Sequence, residues 1–401
     1  MSADQRLNLV CPMNLEHSDL ERFRTEASST GALACAGFAT SYCGIAPVEV
    51  SKTAQARAPV LAELVPRTLF LRIPNLMRRW ILAAITLMAI CVPSFAQQPA
   101  PQKIRILCLA RPFAVMIAES RGILAKYGIE AEFLVRPSSE SLRSDLAAGK
   151  GDVAYVAVDN DVAMVDSAGV DVVVVMGAES SENEIIAQPG TKSIADLRGH
   201  TLLVDATNTA YALELKKVLL NNGLQLEKDY QLKPVGSTPF RLQAMREHPE
   251  YAAAVMNPPY SIVAKQGGMI SLGSMRKLLG ADLDRGTFAL RTWARGNSDL
   301  LERYLAAYIE GQRWLMAPAN RQQVVELVMK ESNLPEATAG DWYAAMVQNG
   351  GYAKDAAFDV EGFKKTLQLR AEIEAGGNGK APVAEKYYDL SYYRMALSRI
   401  K

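Results

Sequence analysis

The chain has 401 residues, with 44 Lys and Arg against 43 Asp and Glu, a formal net charge of +1. From residue 97 onward the balance is −1, so the basic excess that attracts nucleic acid or an anionic membrane surface is missing. Beyond residue 96 only Cys108, His200 and His248 remain of their kinds, which excludes an internal disulfide there and an ordinary zinc site.

In chain order, residues 1–76 show no sustained helical or strand period. Residues 77–98, MRRWILAAITLMAICVPSFAQQ, then carry Arg78 and Arg79, an apolar run from Trp80 to Val92, the helix breaker Pro93, and Ser94 and Ala96 at the −3 and −1 positions of a cut. That is the layout of a secretory signal peptide cleaved after Ala96. The apolar run falls well short of the roughly 20 residues a bilayer span needs. Ile90 before Cys91 does not fit a lipid-attachment site. Export signals act at the N-terminus, so the expected start is Met77, with residues 1–76 an upstream extension. The exported chain, residues 97–401, is long enough for two lobes with proper cores.

From residue 103 the pattern alternates between short apolar runs and helical segments. Strands are expected over 103–110, 129–135, 152–158 and 170–178, and helices over 114–128, 139–149 and 160–169. The alternation restarts with a short helix over 193–199 and continues with strands over 200–205, 251–256 and 269–273. Helices are expected over 208–223, 238–248 and 258–268. After residues 286–294 the chain reads as mostly helical. Such alternation predicts parallel α/β sheets covered on both faces. A tyrosine-rich run, YYDLSYY (387–393), fits a terminal helix packed onto a lobe.

Four segments carry a resemblance: SRGILAKYGIEAEF (120–133), LAAGKGDVAYV (146–156), TKSIADLRGHTLLVD (191–205) and RLQAMREHPEYAAAVMNPPY (241–260). In order and spacing they resemble the nitrate/sulfonate/taurine-type periplasmic solute-binding proteins of ABC importers, a group within the thiamine-precursor-synthase-like superfamily. The resemblance covers most of residues 103–310. One departure is Tyr251-Ala252, where that family has an acidic residue. The resemblance implies a two-lobe periplasmic-binding-protein-like α/β fold (type II) with the ligand cleft between the lobes. Lobe one is expected over about 103–185 plus 287–401, and lobe two over about 186–286. It also implies a periplasmic monomer that binds a small solute and delivers it to an ABC permease and its ATPase.

Ligands of open α/β sheets bind outside the carboxyl ends of the strands. The loops expected there give the candidate contacts. Arg111 and Phe113 follow the first strand, and Asn160 the third. Thr207, Asn208 and Thr209 open a helix of lobe two, as does Arg241 near the start of the next. Asn257 and Tyr260 follow the strand over 251–256. Hydroxyls and free N–H groups at a helix start suit a carboxylate or sulfonate, and arginine grips such planar anions at two points. A neutral nitrogenous solute or a thiamine precursor stays open as the alternative. The alternative for Thr207 or Asn208 is a cap of its own helix. Enzymes are known on the implied fold, a pyrimidine-precursor synthase and a dehydratase among them. The synthase relies on a cysteine-rich segment and histidines that are missing here. No nucleophile elbow, P-loop or Ser–His pair is present, so no catalytic residue, cofactor or metal is expected. A binding protein serving a sensor is the remaining alternative.

Overall fold

The computed structural model describes residues 100–180, 182–280, 284–374 and 379–400. The expected extension and signal peptide lie outside them. Among the described residues ten strands form two five-stranded sheets. The first contains β1 (Gln102–Cys108), β2 (Ile129–Val135), β3 (Val153–Ala157), β4 (Val172–Ser180) and β10 (Asp284–Leu290), in the order β2-β1-β3-β10-β4. The second contains β5 (Glu184–Ala187), β6 (Thr201–Val204), β7 (Gln231–Pro234), β8 (Tyr251–Met256) and β9 (Ile270–Ser274), in the order β7-β6-β8-β5-β9.

The two sheets share one plan. Each has three mutually parallel strands, then a strand antiparallel to both its neighbours. In the first sheet that strand is β10, which returns from the second half of the chain. In the second it is β5, which leaves from the first half. The chain therefore crosses twice between lobes.

Period-two alternation puts successive side chains on opposite faces of a sheet. In β1, Ile104, Ile106 and Cys108 face one core while Leu107 faces another. Val173 and Val175 of β4 join the first core, and Val172 and Val174 the second. Helices cover both faces, so all nine residues of β4 are buried. The second sheet behaves alike: Leu202 and Val204 lie in one core, Leu203 and Met256 in another.

Lobe one carries extra weight. The helix Ser298–Met316 packs across the helix Phe113–Ser120. It comes so close that a Cβ on Gly311 would lie 2.2 Å from the Ala114 carbonyl oxygen. The terminal helix Ser391–Arg399 seats Tyr392 and Ala396 against the same core, as the tyrosine-rich run predicts. Three expectations are corrected. The helix expected over 114–128 breaks in two, because Gly122 takes a left-handed conformation, φ 69°. β7 was not foreseen, since QLKP neither alternates nor buries a face. The helix expected to open at Asn160 begins one residue earlier, at Asp159, so Asn160 lies inside its first turn and is buried.

Candidate functional site

The strand ends of both sheets meet across the cleft. On the lobe-two side two helices begin there, Ala210–Asn221 after β6 and Thr238–Glu247 after β7. Their N-cap residues are Thr209 and Ser237, and neither side chain caps its helix. Thr209 Oγ1 instead donates to Asp205 Oδ1 at 2.6 Å and to the Ala206 carbonyl at 3.1 Å. Neither Thr207 nor Asn208 supplies the cap. The contrast is the lobe-one helix Ser139–Ala147, where Ser138 Oγ accepts from the Ser141 N–H in a full capping box. A helix start carries N–H groups without intrahelical partners and partial positive charge. In lobe two that chemistry faces the cleft.

Lobe one answers with a carboxylate. Asp159 Oδ1 accepts from the Ala210 N–H at 3.1 Å, and its Oδ2 accepts from Arg370 Nη1 at 2.7 Å. Asp159 is fully buried, and burial pushes its carboxyl up to about 6, although Arg370 and Arg143 oppose the shift. Two residues on, neither oxygen of Asp161 makes a hydrogen bond of good geometry. Burial, with Asp159 beside it, pushes that carboxyl well above the usual range; the Val162 N–H offsets this only in part. Arg143 donates to Asn160 Oδ1 at 3.3 Å and across the cleft to Asn208 Oδ1 at 2.9 Å. Further contacts close the same seam. Ser139 Oγ donates to Asp205 Oδ2 at 2.6 Å, and the Ser237 N–H donates to the Pro137 carbonyl at 2.9 Å. Gly236, with φ 99°, permits the second: a Cβ there would lie 2.9 Å from that carbonyl oxygen.

Beside the crossing strands lies an aromatic layer. Glu179 of β4 and Arg285 of β10 are register partners and form an ion pair at 2.9 Å. The Arg285 side chain keeps 21% of its surface accessible, against 6% for Glu179, and its free edge reaches the lobe-two Tyr211 hydroxyl at a long 3.4 Å. Burial works against the Arg285 charge, but Tyr211, Glu179 and Tyr155 outweigh it and hold the guanidinium firmly protonated. Burial also raises the hydroxyls of Tyr155, Tyr308 and Tyr352, which stay neutral.

The candidates of the sequence fall into three groups. Asn160, Asn208 and Thr209 come together around Arg143, Asp159 and Asp205, as just described. Thr207 is exposed beside them, and its carbonyl accepts from Lys216. Arg241 and Asn257 share the start of the second lobe-two helix. Arg241 is 1% exposed and spends its donors on the Val255 and Gly236 carbonyls and Thr238 Oγ1. Among the described residues it makes no ion pair; burial pushes its guanidinium down, the charge of Asp205 offsets this in part, and it lies 6.0 Å from the Tyr211 ring. Asn257 Oδ1 accepts from Thr238 Oγ1 at 2.7 Å. Tyr260 opens the next helix, its hydroxyl pushed up to about 12 by burial despite the opposing charge of Arg285. Arg111 and Phe113 lie apart from these. Arg111 pairs with Glu331 and stacks over Phe133, and Phe113 meets Trp342 edge-on at 4.8 Å.

Sequence reasoning missed Arg143, Glu179, Arg285 and Arg370. No local motif marks them; Arg370 lies 211 residues from its partner Asp159. An open groove of about 390 Å³ lies elsewhere, between the helix Tyr260–Gln266 and the segment after Trp342, and shares no residue with the charged layer. Its carboxylates are already engaged: Glu182 by Arg276, Glu184 by Lys265, and Asp341 by Gln266. Among the described residues no group of His, Cys, Asp and Glu is arranged to hold a metal ion, and no helix is long and apolar enough to cross a membrane.

Comparison with solved structures gives the same architecture. A protein from Bordetella bronchiseptica RB50 superposes with a TM-score of 0.64 at 16% identity, covering 74% of this chain and 97% of that one. The periplasmic nitrate-binding protein NrtA from Synechocystis PCC 6803 gives 0.62 at 14% identity, covering 75% and 89%. The periplasmic aliphatic sulphonate binding protein SsuA from Escherichia coli gives 0.56 at 20% identity, covering 73% and 99%. At these identities the likeness shows the fold, that of the periplasmic binding proteins. No curated protein sequence matches the chain. The sequence model of the NMT1-like family matches residues 104–329, more than half the chain and most of both sheets. This chain belongs to the NMT1-like family and has the two-lobed periplasmic-binding-protein fold that the sequence led us to expect.

Proposed function

We propose that the protein is an extracytoplasmic solute receptor of an ABC importer, and that its cleft takes a small organic anion such as a sulfonate or carboxylate. The supporting observation is the pair of lobe-two helices that start uncapped in the cleft, one of which already holds a carboxylate, that of Asp159, on its first N–H. Unpaired N–H groups at a helix start are a ready-made anion seat. Arg241, buried and only partly offset by Asp205, adds positive potential, and Arg143 reaches in from lobe one. In this reading Asn160, Asn208, Thr209 and Tyr260 touch the solute, while Arg241 acts through its field. Receptors of this fold work by lobe closure: a ligand that contacts both lobes only when the cleft is shut shifts the population toward the closed form. That form would dock on the permease. Residues 77–96 would direct export. Native mass spectrometry of the protein recovered from its own cell envelope tests this. The expected result is a chain beginning at Gln97 with a small anionic adduct that is lost on activation. A chain that retains residues 1–76, or a cationic adduct, would contradict it.

A further inference from the structure

The seam between the lobes is made by the protein's own groups. Asp159 stands at its centre. One oxygen takes the Ala210 N–H of lobe two, and the other takes Arg370 of lobe one. Arg370 in turn donates to the Asn208 carbonyl at 3.4 Å and pairs with Glu374 at 2.9 Å. Asn208 is thus held from two sides, since Arg143 takes its side-chain oxygen. Lys217 of lobe two meets Glu372 at 2.8 Å. The buried Ser139–Asp205 contact and Ser237–Pro137 complete the row.

A carboxylate between an arginine and a helix N-terminus is what a small organic anion would be in the same cleft. From this we infer that Asp159 is a built-in competitor: its carboxylate latches the lobes shut in the absence of solute, and an anionic solute enters by displacing it. The competition half of this statement rests on the anion reading above; the latch half does not. The device makes closure by itself a poor signal of occupancy, and it sets a threshold that a solute must exceed before it can take the seat.

Distance measurement by double electron–electron resonance separates the two halves. Spin-labelled non-canonical residues at the exposed positions Ala148 in lobe one and Lys228 in lobe two leave every native cysteine untouched. The full chain, free of solute, should give one short distance. Asp159→Ala should move the main distance outward by more than about 2 Å, the scale of a hinge rearrangement. Because Asp159→Ala leaves Arg370 with Glu374 as its one ion-pair partner among the described residues, a second variant, Asn208→Ala, removes an exposed side chain from the same seam and should move it in the same direction. A solute-free wild type already at the long distance, or both variants folded and still at the short one, would overturn the latch. Titration with acetate and methanesulfonate then tests the competition. Asp159→Ala should bind at least one of them tenfold or more tighter than the wild type, and equal affinities would overturn that half. If neither protein binds either anion, the anion reading fails, while the distances still decide the latch.

Discussion

The two lobes are built on one sheet plan but carry different chemistry to the cleft. Lobe two offers backbone: two helix starts, a serine, a threonine and the buried Arg241 behind them. Lobe one offers charged side chains drawn from distant parts of the chain: Arg143, Asp159, Arg370, and the Glu179–Arg285 pair of its crossing strands. The difference extends to the helix ends. Ser138 caps its lobe-one helix, while Thr209 and Ser237 do not cap the two lobe-two helices that start at the cleft. Equal topology does not confer equal function. A helix start capped by its own serine is stabilised locally, and a helix start at the cleft without such a cap keeps donors for a partner.

The comparison can be broken first at Arg370. Replacing it by Leu leaves the ionised Asp159 buried beside Asp205 without its main counter-charge, at a cost of about 3–5 kcal/mol at pH 8. The sign with pH follows from the raised carboxyl. A carboxyl held up at about 6 favours the folded protein most when protonated, and that contribution fades as pH rises from the ordinary value of 3.8 through about 6. The Arg370→Leu defect is therefore large at pH 8 and shrinks at pH 5, and urea unfolding at the two values reads it. A defect equal at both would remove Asp159 from the account.

Gly311→Val comes next. The new side chain meets the Ala114 carbonyl at the closest helix contact of lobe one, and overpacking there costs about 3 kcal/mol. The lobe-two helix end at Gly223 has nothing within 4 Å, so Gly223→Ala there costs only the strain of its left-handed backbone, about 1–2 kcal/mol. Thermal melts compare the two. The smallest pair sharpens the capping contrast. Ser138→Ala should cost about 1 kcal/mol, whereas Ser237→Ala, which removes no cap bond, should change stability by less than about 0.5 kcal/mol. Matching losses would mean that the helix Thr238–Glu247 does use Ser237 as its cap.

How much of this was legible depends on distance along the chain. The strands and helices around the cleft could be read because each is a local pattern bounded by Gly, Pro or a polar cap. β7 escaped because QLKP is exposed and carries no period. The lobe-two candidates could be read for the same local reason: Thr207–Thr209 and Asn257–Tyr260 sit between a strand and a helix. Lobe one could not. Asn160 was reachable from its position after β3, but Arg143 points across the cleft from a helix face that looks like any solvated one. Arg370 lies in a C-terminal helix, Val360–Glu374, whose pattern says only that it packs. Arg285 sits on a crossing strand whose partner, Glu179, is 106 residues away. Folding, not local pattern, brings these groups together.

The most direct test of the central claim is isothermal titration of the protein with a panel of small sulfonates and carboxylates, beside the Thr209→Val variant. Thr209 is buried, and its hydroxyl organises Asp205 and the Ala206 carbonyl at the uncapped helix start. The account predicts one saturable site for at least one anion, weakened tenfold or more by the substitution. Tight binding of a cation alone, or anion binding that the variant leaves unchanged, would contradict it.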